Sequence, residues 1–435
     1  MTEAAARAYR SLFCSFFLPR HPGHSGGEIR DYHLLRHLLE VSRVEFFAFH
    51  QEPPGSAERP DVLGPLLEGV HTPETLAAAD VDHAALQAPD EGRLAARLRA
   101  LGLPLPSRHH ADAGHRVPAA RAYARPLIQR RLKESRPDFL FVSPQLNPLA
   151  LTLDLRGVDT RLVLASYDVE AVRVRRLAGQ ETGPRRLRQR LEARRAARFE
   201  RDNLARFDGV IAVSDLDRRL FTERYDLPGE RVVAIENAVD PGYFAFQPRV
   251  ASDAPSIVFV GSLGYAPNAQ AAARLLDGIL PLVRQRRPDV RLQLVGQAPP
   301  VSLLARADPP RVTVTGRVED VRPYLAAAAV CCVPLAAGSG TKYKVLEALS
   351  AGVPVVCTGL ALEGLDLRDG EHVLVADTDA QIAAAVCALI ENPERAAALA
   401  RRGRQEVEVR HSWNAVIPRL DPWLASLRRL PRRGR

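Results

Sequence analysis

Lysine is scarce in this chain. Only Lys133, Lys342 and Lys344 occur among 60 basic residues, and two of the three stand within the stretch Gly338-Ser339-Gly340-Thr341-Lys342-Tyr343-Lys344-Val345-Leu346-Glu347. Arginine offers a planar fork, lysine a compact ammonium, so a chain that writes arginine elsewhere and lysine here selects for point charges. The stretch follows an apolar run ending at Pro334 and opens into the helical pattern KVLEALSAG. Glycines let backbone N–H groups approach an anion with no Cβ in the way, and a helix N-terminus adds favourable partial charge. Glu347 lies one helical turn beyond Lys344, where a carboxylate can accept from paired hydroxyls. Phosphate charge and a vicinal diol together describe a nucleoside diphosphate; the plainer alternative is a strand-to-helix turn with a surface Lys/Glu pair. No GxxxxGK[ST] loop occurs, which excludes a Walker site.

A second glycine pair, Gly26-Gly27, follows the apolar run Ser11–Leu18 and precedes a helix expected to start near Glu28. It either lets the first half approach the same anion or forms a plain tight turn. Asp168 and Glu170 follow the run Arg161–Ala165; each can orient a hydroxyl or take its proton, or merely cap a helix. His21, His24 and His33 flank the glycine pair and are candidates for ligand contact or for ordinary loop and helix-face positions. His109, His110 and His115 are assigned to an exposed loop. Cys14, Cys331, Cys332, Cys357 and Cys387 lack metal-ligand spacing and read as reduced, buried thiols, so no metal site is expected.

The elements that position these residues are α/β. Short β-branched or aromatic runs alternate with helical patterns: Ser11–Leu18, Arg43–His50, Asp138–Val142, Arg161–Ala165, Gly209–Val213 and Arg231–Glu236 in the first half. In the second half they are Ser256–Val260, Arg291–Val295, Val312–Thr315, Val330–Val333, Val353–Cys357 and His372–Val375. Such alternation predicts two doubly wound parallel sheets, with ligands beyond the carboxyl ends of the strands, in a cleft between the halves. The expected domains are 1–245, with 51–125 as a variable insertion, and 255–410. Residues 411–435, with Trp413 and Trp423, should form a helix that returns toward the first domain and ends in a basic tail. Eleven arginines between Arg173 and Arg201 suit a solvated helix pair or a surface that meets anionic lipid. Net charge is +9, but aromatic residues are only 6% and no groove-reading motif accompanies the arginines, so nucleic acid is not an expected partner. No apolar run reaches the ~18 to 20 residues of a membrane span, and no leader is expected.

The segment GSGTKYKVLEALSAGVPVVCT resembles the donor-site signature of glycosyltransferase family 4. The resemblance extends through FVGSLGYAPNAQAA, TGRVEDVRPYLAAA, LALEGL and RHSW, and in the first half through SGGEIRDYHLLRHL, SYDVEAVRVRRLA, RFDGVIAVSDLDRRLF and IENAVDPGYF. It implies the GT-B architecture of two facing Rossmann-like domains and a retaining, usually metal-independent transfer, with a nucleotide-diphosphate sugar as donor substrate and no cofactor. By that resemblance Lys344 holds the donor diphosphate, Glu347 the ribose hydroxyls, and Gly338, Ser339, Gly340, Thr341 and Lys342 the phosphate and hexose. Arg317 and Val318 flank the base, Gly26-Gly27 approach from across the cleft, and Lys344, Glu347, Asp168 and Glu170 are the catalytic candidates. The chain departs from the common pattern at Ser339, where many relatives have Glu, and at Ser262, Leu263 and Asn268, where many have Arg and Lys; phosphate neutralisation therefore shifts to Lys344, Lys342 and Arg317. Tyr167 stands where relatives often have His.

The expected function is hexose transfer to a glycan or glycolipid acceptor in surface polysaccharide biosynthesis, by a cytoplasmic protein with peripheral contact to anionic membrane at its inner face. The alternatives are a nucleotide-sugar-binding protein without transferase activity, and a nucleotide-sugar epimerase of the same architecture.

Overall fold

The computed structural model describes residues 8–16, 25–48, 67, 69–71, 117–180, 183–247, 254–338 and 342–433. Two all-parallel sheets organise them. The first has seven strands: β1 (Tyr9–Ser15), β2 (Ser42–Ala48), β3 (Gly69–His71), β4 (Phe139–Val142), β5 (Arg161–Ala165), β6 (Gly209–Ala212) and β7 (Val232–Ala234), in the order β3-β2-β1-β4-β5-β6-β7. The second has six: β8 (Ser256–Val260), β9 (Arg291–Val295), β10 (Val312–Val314), β11 (Val330–Val333), β12 (Val355–Cys357) and β13 (Leu374–Val375), in the order β10-β9-β8-β11-β12-β13. Both orders reverse direction beside the first strand of the unit, which is where a doubly wound sheet opens a crevice.

The strands are buried on both faces, as parallel sheets require. In β4, Phe139 and Phe141 join one core cluster while Leu140 and Val142 join the cluster on the opposite face. Helix α1 (Gly26–Val41) packs on the first face; α2 (Val117–Ser135) and α5 (Asp215–Tyr225) pack on the second. Between β5 and β6 run α3 (Glu170–Gln180) and α4 (Gly183–Leu204), packed against each other as a hairpin. In the C-terminal unit α6 (Ala266–Arg274) follows β8, α7 (Tyr343–Ser350) follows β11, and α8 (Pro393–Arg410) packs on α7.

Two features differ from the expectation. The first strand stops at Ser15, because the Ser15 hydroxyl turns to Asp31 at 2.5 Å and the Phe16 N–H bonds the Ser143 hydroxyl at 2.9 Å instead of continuing the ladder. The stretch 51–125 supplies an edge strand, β3, paired with Glu45–Phe47 of β2, and the start of α2; its three-residue length carries no periodicity that a sequence run could register. All five cysteines are buried and free, and no helix among the described residues is long and apolar enough to cross a membrane.

The chain returns from the second unit to the first beside its outward crossing. Val239 N–H donates to the His411 carbonyl at 2.9 Å and Trp413 N–H donates to the Val239 carbonyl at 3.1 Å. Beyond this tie Trp413, Leu420, Trp423, Leu424 and Leu427, the last four on or beside α9 (Leu420–Arg429), complete the core on the α1 side of the first sheet. Gly209 of β6 is the reason the indole fits: a Cβ there would come within 2.7 Å of Trp423 and Leu427. The Trp423 Nε1 donates to the Glu230 carbonyl at 3.0 Å, and Arg428 meets Asp138 at 2.9 Å. Trp423→Ala therefore empties a large site beneath the first sheet and is expected to cost roughly 3–5 kcal/mol, read as a fall in the urea midpoint of that unit. Gly209→Val should produce a comparable fall, by overpacking the same place.

Candidate functional site

Lys344 is in the first turn of α7, directly over the carboxyl end of β8. Its Nζ donates to Asn268 Oδ1 at 2.5 Å and sits 4.5 Å from the centre of the Phe259 ring, a cation–π contact. Asn268, on α6, is oriented by its own Nδ2, which donates to the Ser262 carbonyl at 2.8 Å. A Cβ on Gly261 would come 2.8 Å from Lys344 Nζ, and one on Gly296 would lie 1.8 Å from the Gly261 carbonyl oxygen. Only two glycines let β8 and β9 converge and leave room for the ammonium. Surrounding protein displaces most of the water from this partly exposed pair of groups: burial lowers Lys344 to about 7, against the pull of Cys331 and Glu347. Burial likewise raises Glu347 to about 7, with Lys344 opposing. No described residue hydrogen-bonds the Glu347 carboxylate.

Lys342 precedes α7 as its N-cap residue and is buried. Its ammonium is lowered to about 8, first by burial, while Glu363, Asp168 and Asp217 attract it and Arg176 repels it. Lys344 therefore turns onto Asn268 within the C-terminal unit, whereas the carboxylates that act on Lys342 are Glu363 of its own unit and Asp168 and Asp217 of the N-terminal unit. Gly338 has φ 121°, a backbone conformation open to glycine. Ser339, Gly340 and Thr341 lie outside the described residues, as do His21, His24, His109, His110 and His115.

Across the cleft, α1 begins at Gly26 and not near Glu28, because Ser25 is the N-cap and its hydroxyl accepts from Glu28 N–H at 3.3 Å. Gly26 and Gly27 are consequently the first two helical residues, with N–H groups that the helix itself leaves unsatisfied. A Cβ on Gly26 would meet the Tyr343 ring at 3.1 Å, so the start of α1 and the start of α7 touch. His33 is buried and stacked on Trp413 at 4.5 Å, which makes it a packing residue and removes it from the ligand candidates. Tyr167 is likewise committed inward: its hydroxyl donates to Asp31 Oδ2 at 2.6 Å, and burial raises Asp31 to about 6 against the hydrogen bonds from Ser15 and Tyr167. Arg30, fully buried next to it, donates to the carbonyls of Ala212 and Ile235 and to Asn237.

Asp168 and Glu170 separate. Glu170 is held by Arg173, with Arg173 Nε donating to it at 2.7 Å. The capping role goes to neither: Glu200 of α4 accepts from the Glu170 and Ala171 N–H groups at 2.8 and 3.3 Å. Asp168 lines a small opening with Val172, Arg176, Ser214, Asp217 and Glu363. Burial, then the charge of Glu170, raises Asp168 to about 7 although Arg173 lowers it. The floor of this opening is closed from the other unit by Glu363, which accepts from Arg176 through two contacts, one of 2.6 Å. Asp217, Arg176 and Glu363 were not singled out from sequence; Asn268 stood there only as a departure. Arg317 is exposed and Val318 packs on the C-terminal core, both in the segment after β10.

Two doubly wound parallel units, with ammonium groups at one lip of a shared cleft and carboxylates at the other, define a glycosyltransferase of the GT-B type. The chain belongs to glycosyltransferase family 4: the Glycosyltransferase Family 4 model matches residues 24–243 and the Glycosyl transferases group 1 model residues 254–392. Among curated relatives, the phosphatidyl-myo-inositol mannosyltransferase of Mycobacterium tuberculosis is 33% identical over 225 residues, 49% of this chain and 58% of the relative. That of Mycobacterium leprae is 31% identical over 221 residues, 49% and 57% of the two chains. The match therefore spans less than two thirds of either relative. Among solved structures, sucrose-phosphate synthase from Thermosynechococcus elongatus superposes with TM-score 0.68 at 14% identity, covering 96% of this chain and 99% of that one. Anabaena HepE in complex with UDP and glucose gives 0.63 at 14% identity, covering 96% and 100%. At these identities the likeness is one of fold.

A titration isolates the role of Lys344. In Glu347→Gln, which removes a carboxylate that raises Lys344, affinity for a nucleotide-diphosphate sugar should be level only well below pH 7, where the free ammonium is already charged. It should fall above pH 7, by up to about tenfold per pH unit, because binding must then restore a proton. Lys344→Arg on the same background should flatten the profile up to about pH 8, where Lys342 begins to lose its own proton; calorimetry across pH 6 to 9 reads both.

Proposed function

We propose that the chain is a retaining hexosyltransferase that moves a hexose from a nucleotide-diphosphate sugar to a glycan or glycolipid acceptor in surface polysaccharide biosynthesis. The observation that carries this reading is the pair of desolvated ammonium groups at the start of α7, the helix whose Tyr343 touches Gly26 at the N-terminus of α1. When the anomeric C–O bond breaks, negative charge develops on the diphosphate, and preorganised cations and N–H groups aimed at it lower the barrier. Lys344 and Lys342 neutralise that charge, with Arg317 beside the base together with Val318. Glu347 accepts from the ribose hydroxyls. Gly26 and Gly27 turn free N–H groups to the diphosphate from the opposite lip, and Gly338 to Thr341 take up the phosphate and hexose.

On the acceptor side, Asp168 is the better candidate of the two carboxylates: Arg173 hydrogen-bonds Glu170 and stands farther from Asp168, at 3.7 Å, and Asp168 lines the opening. A carboxyl titrating near neutrality is suited to hold an acceptor hydroxyl and take its proton as the new glycosidic bond forms. Neither metal nor cofactor has a part in this scheme. The relatives' name, phosphatidyl-myo-inositol mannosyltransferase, supports a lipid-linked acceptor. The same reading places the protein in the cytoplasm at the inner face of the membrane.

Thermal stabilisation across UDP, GDP, ADP and dTDP and their hexoses tests the donor half. One nucleotide should raise the unfolding temperature of the unmodified chain, by about 2.7 kcal/mol of stability at a hundredfold excess over Kd, and leave Lys344→Ala and Glu347→Ala unmoved. Equal responses from both variants would refute the site. Stabilisation with no transfer to any glycolipid would favour binding without catalysis, and interconversion of free donor would favour an epimerase.

A further inference from the structure

Helix α4, 22 residues long, is the most arginine-rich element of the fold. Its inward side is marked by buried Ala193 and Leu204, and by Glu200, which is spent on capping α3. At 3.6 residues per turn, Leu187, Leu191 and Phe199 fall on the opposite face. They are 63%, 45% and 41% exposed, unusually high for such side chains. Arg190, Arg194, Arg195, Arg198 and Arg201 are exposed around them. The acids on that face are each used: Glu192 pairs with Arg188 at 3.0 Å and Asp202 with Arg198 at 3.6 Å. Arg190, Arg194, Arg195 and Arg201 have no acidic partner among the described residues.

We propose that this outer face of α4 is the surface on which the protein docks to an anionic bilayer. Charge and apolarity together select that occupant. A second copy of the chain would set arginines against arginines. A nucleic acid would satisfy the guanidinium groups but leave two leucines and a phenylalanine in water. A lipid interface takes both, since the apolar side chains enter the acyl boundary while arginine stems lie along it and their heads reach the phosphates. The location adds a consequence. Helix α3, packed on α4, places Val172 and Arg176 in the wall of the opening that holds Asp168. A docked α4 therefore brings its neighbour α3, and the opening in whose wall α3 stands, close to the headgroups. Delivery of a lipid-borne acceptor rests on the transferase reading; docking does not.

The test is cosedimentation of the full chain with vesicles of phosphatidylcholine containing phosphatidylglycerol, and with phosphatidylcholine alone. Two variants accompany it: Arg190→Glu/Arg194→Glu/Arg195→Glu and Leu187→Ser/Leu191→Ser/Phe199→Ser. The unmodified chain should bind the anionic vesicles, more weakly as salt rises, and each variant should lose roughly tenfold or more in partitioning. The unfolding temperature and far-ultraviolet circular dichroism of the unmodified chain should be retained by both variants, which shows that they fold. Undiminished binding by the variants, equal binding to neutral vesicles, or none at all would overturn the proposal. So would a dimer in light scattering that the same variants abolish, or binding of duplex RNA sensitive to them in the absence of lipid binding. If vesicles bind as expected while no nucleotide stabilises the chain, docking stands and the transferase reading falls.

Discussion

An ammonium group withdrawn from water is costly unless its surroundings replace the lost hydration, and the inner edge of the C-terminal unit is arranged around that cost at Lys344. Its replacements are few and directional: the Asn268 side-chain oxygen, the face of Phe259, and the nearby Glu347 carboxylate. Each is fixed by something else. Asn268 is tethered to the chain at Ser262, Phe259 belongs to the central strand, and Gly261 and Gly296 keep clear the space that a Cβ would fill. Partial compensation of this kind leaves the group short of the hydration it has lost while holding it in one place.

The N-terminal unit has a counterpart of opposite purpose. Arg30, Asp31, Ser15 and Tyr167 form a buried polar cluster whose hydrogen bonds tie β1, α1, β6 and the segment after β7 into one block. It stiffens the wall from which Gly26, Gly27 and Asp168 project. The two blocks meet at few places. Tyr343 abuts Gly26, Glu363 meets Arg176, and the chain crossings are bound together at Val239 and Trp413. Contacts confined to the lip and the crossing suit a cleft that opens and closes about the tie, because little apolar surface has to separate when it does.

The comparison of sequence with structure turns on distance along the chain. The alternating apolar runs located twelve of the thirteen strands, since two-sided burial demands continuous Val, Ile, Leu and Phe. They missed Gly69–His71, whose pairing with β2 owes nothing to its own pattern. The scarcity of lysine marked Lys342 and Lys344, because composition is a property of the chain alone, and the helical spacing from Lys344 to Glu347 is local and survives folding. Legibility ended where roles depend on neighbours remote in sequence. Asn268 is 76 residues from the lysine it holds. Glu200 outcompetes Asp168 as a cap from the next helix, and His33 is claimed by a tryptophan near the far end of the chain.

By itself, then, the sequence determined the α/β class, the two-unit plan and the lysine pair at the start of a helix, all of which follow from local periodicity, composition and short-range spacing. Tertiary structure alone decided that Lys344 turns onto Asn268 while Glu363, Asp168 and Asp217 act on Lys342, and that Glu170 and Tyr167 are structural while Asp168 reaches the opening. It also decided that α4 turns leucines and phenylalanine outward. These are outcomes of which side chains compete for the same hydrogen bond or the same buried volume, and that competition exists only once the chain has folded.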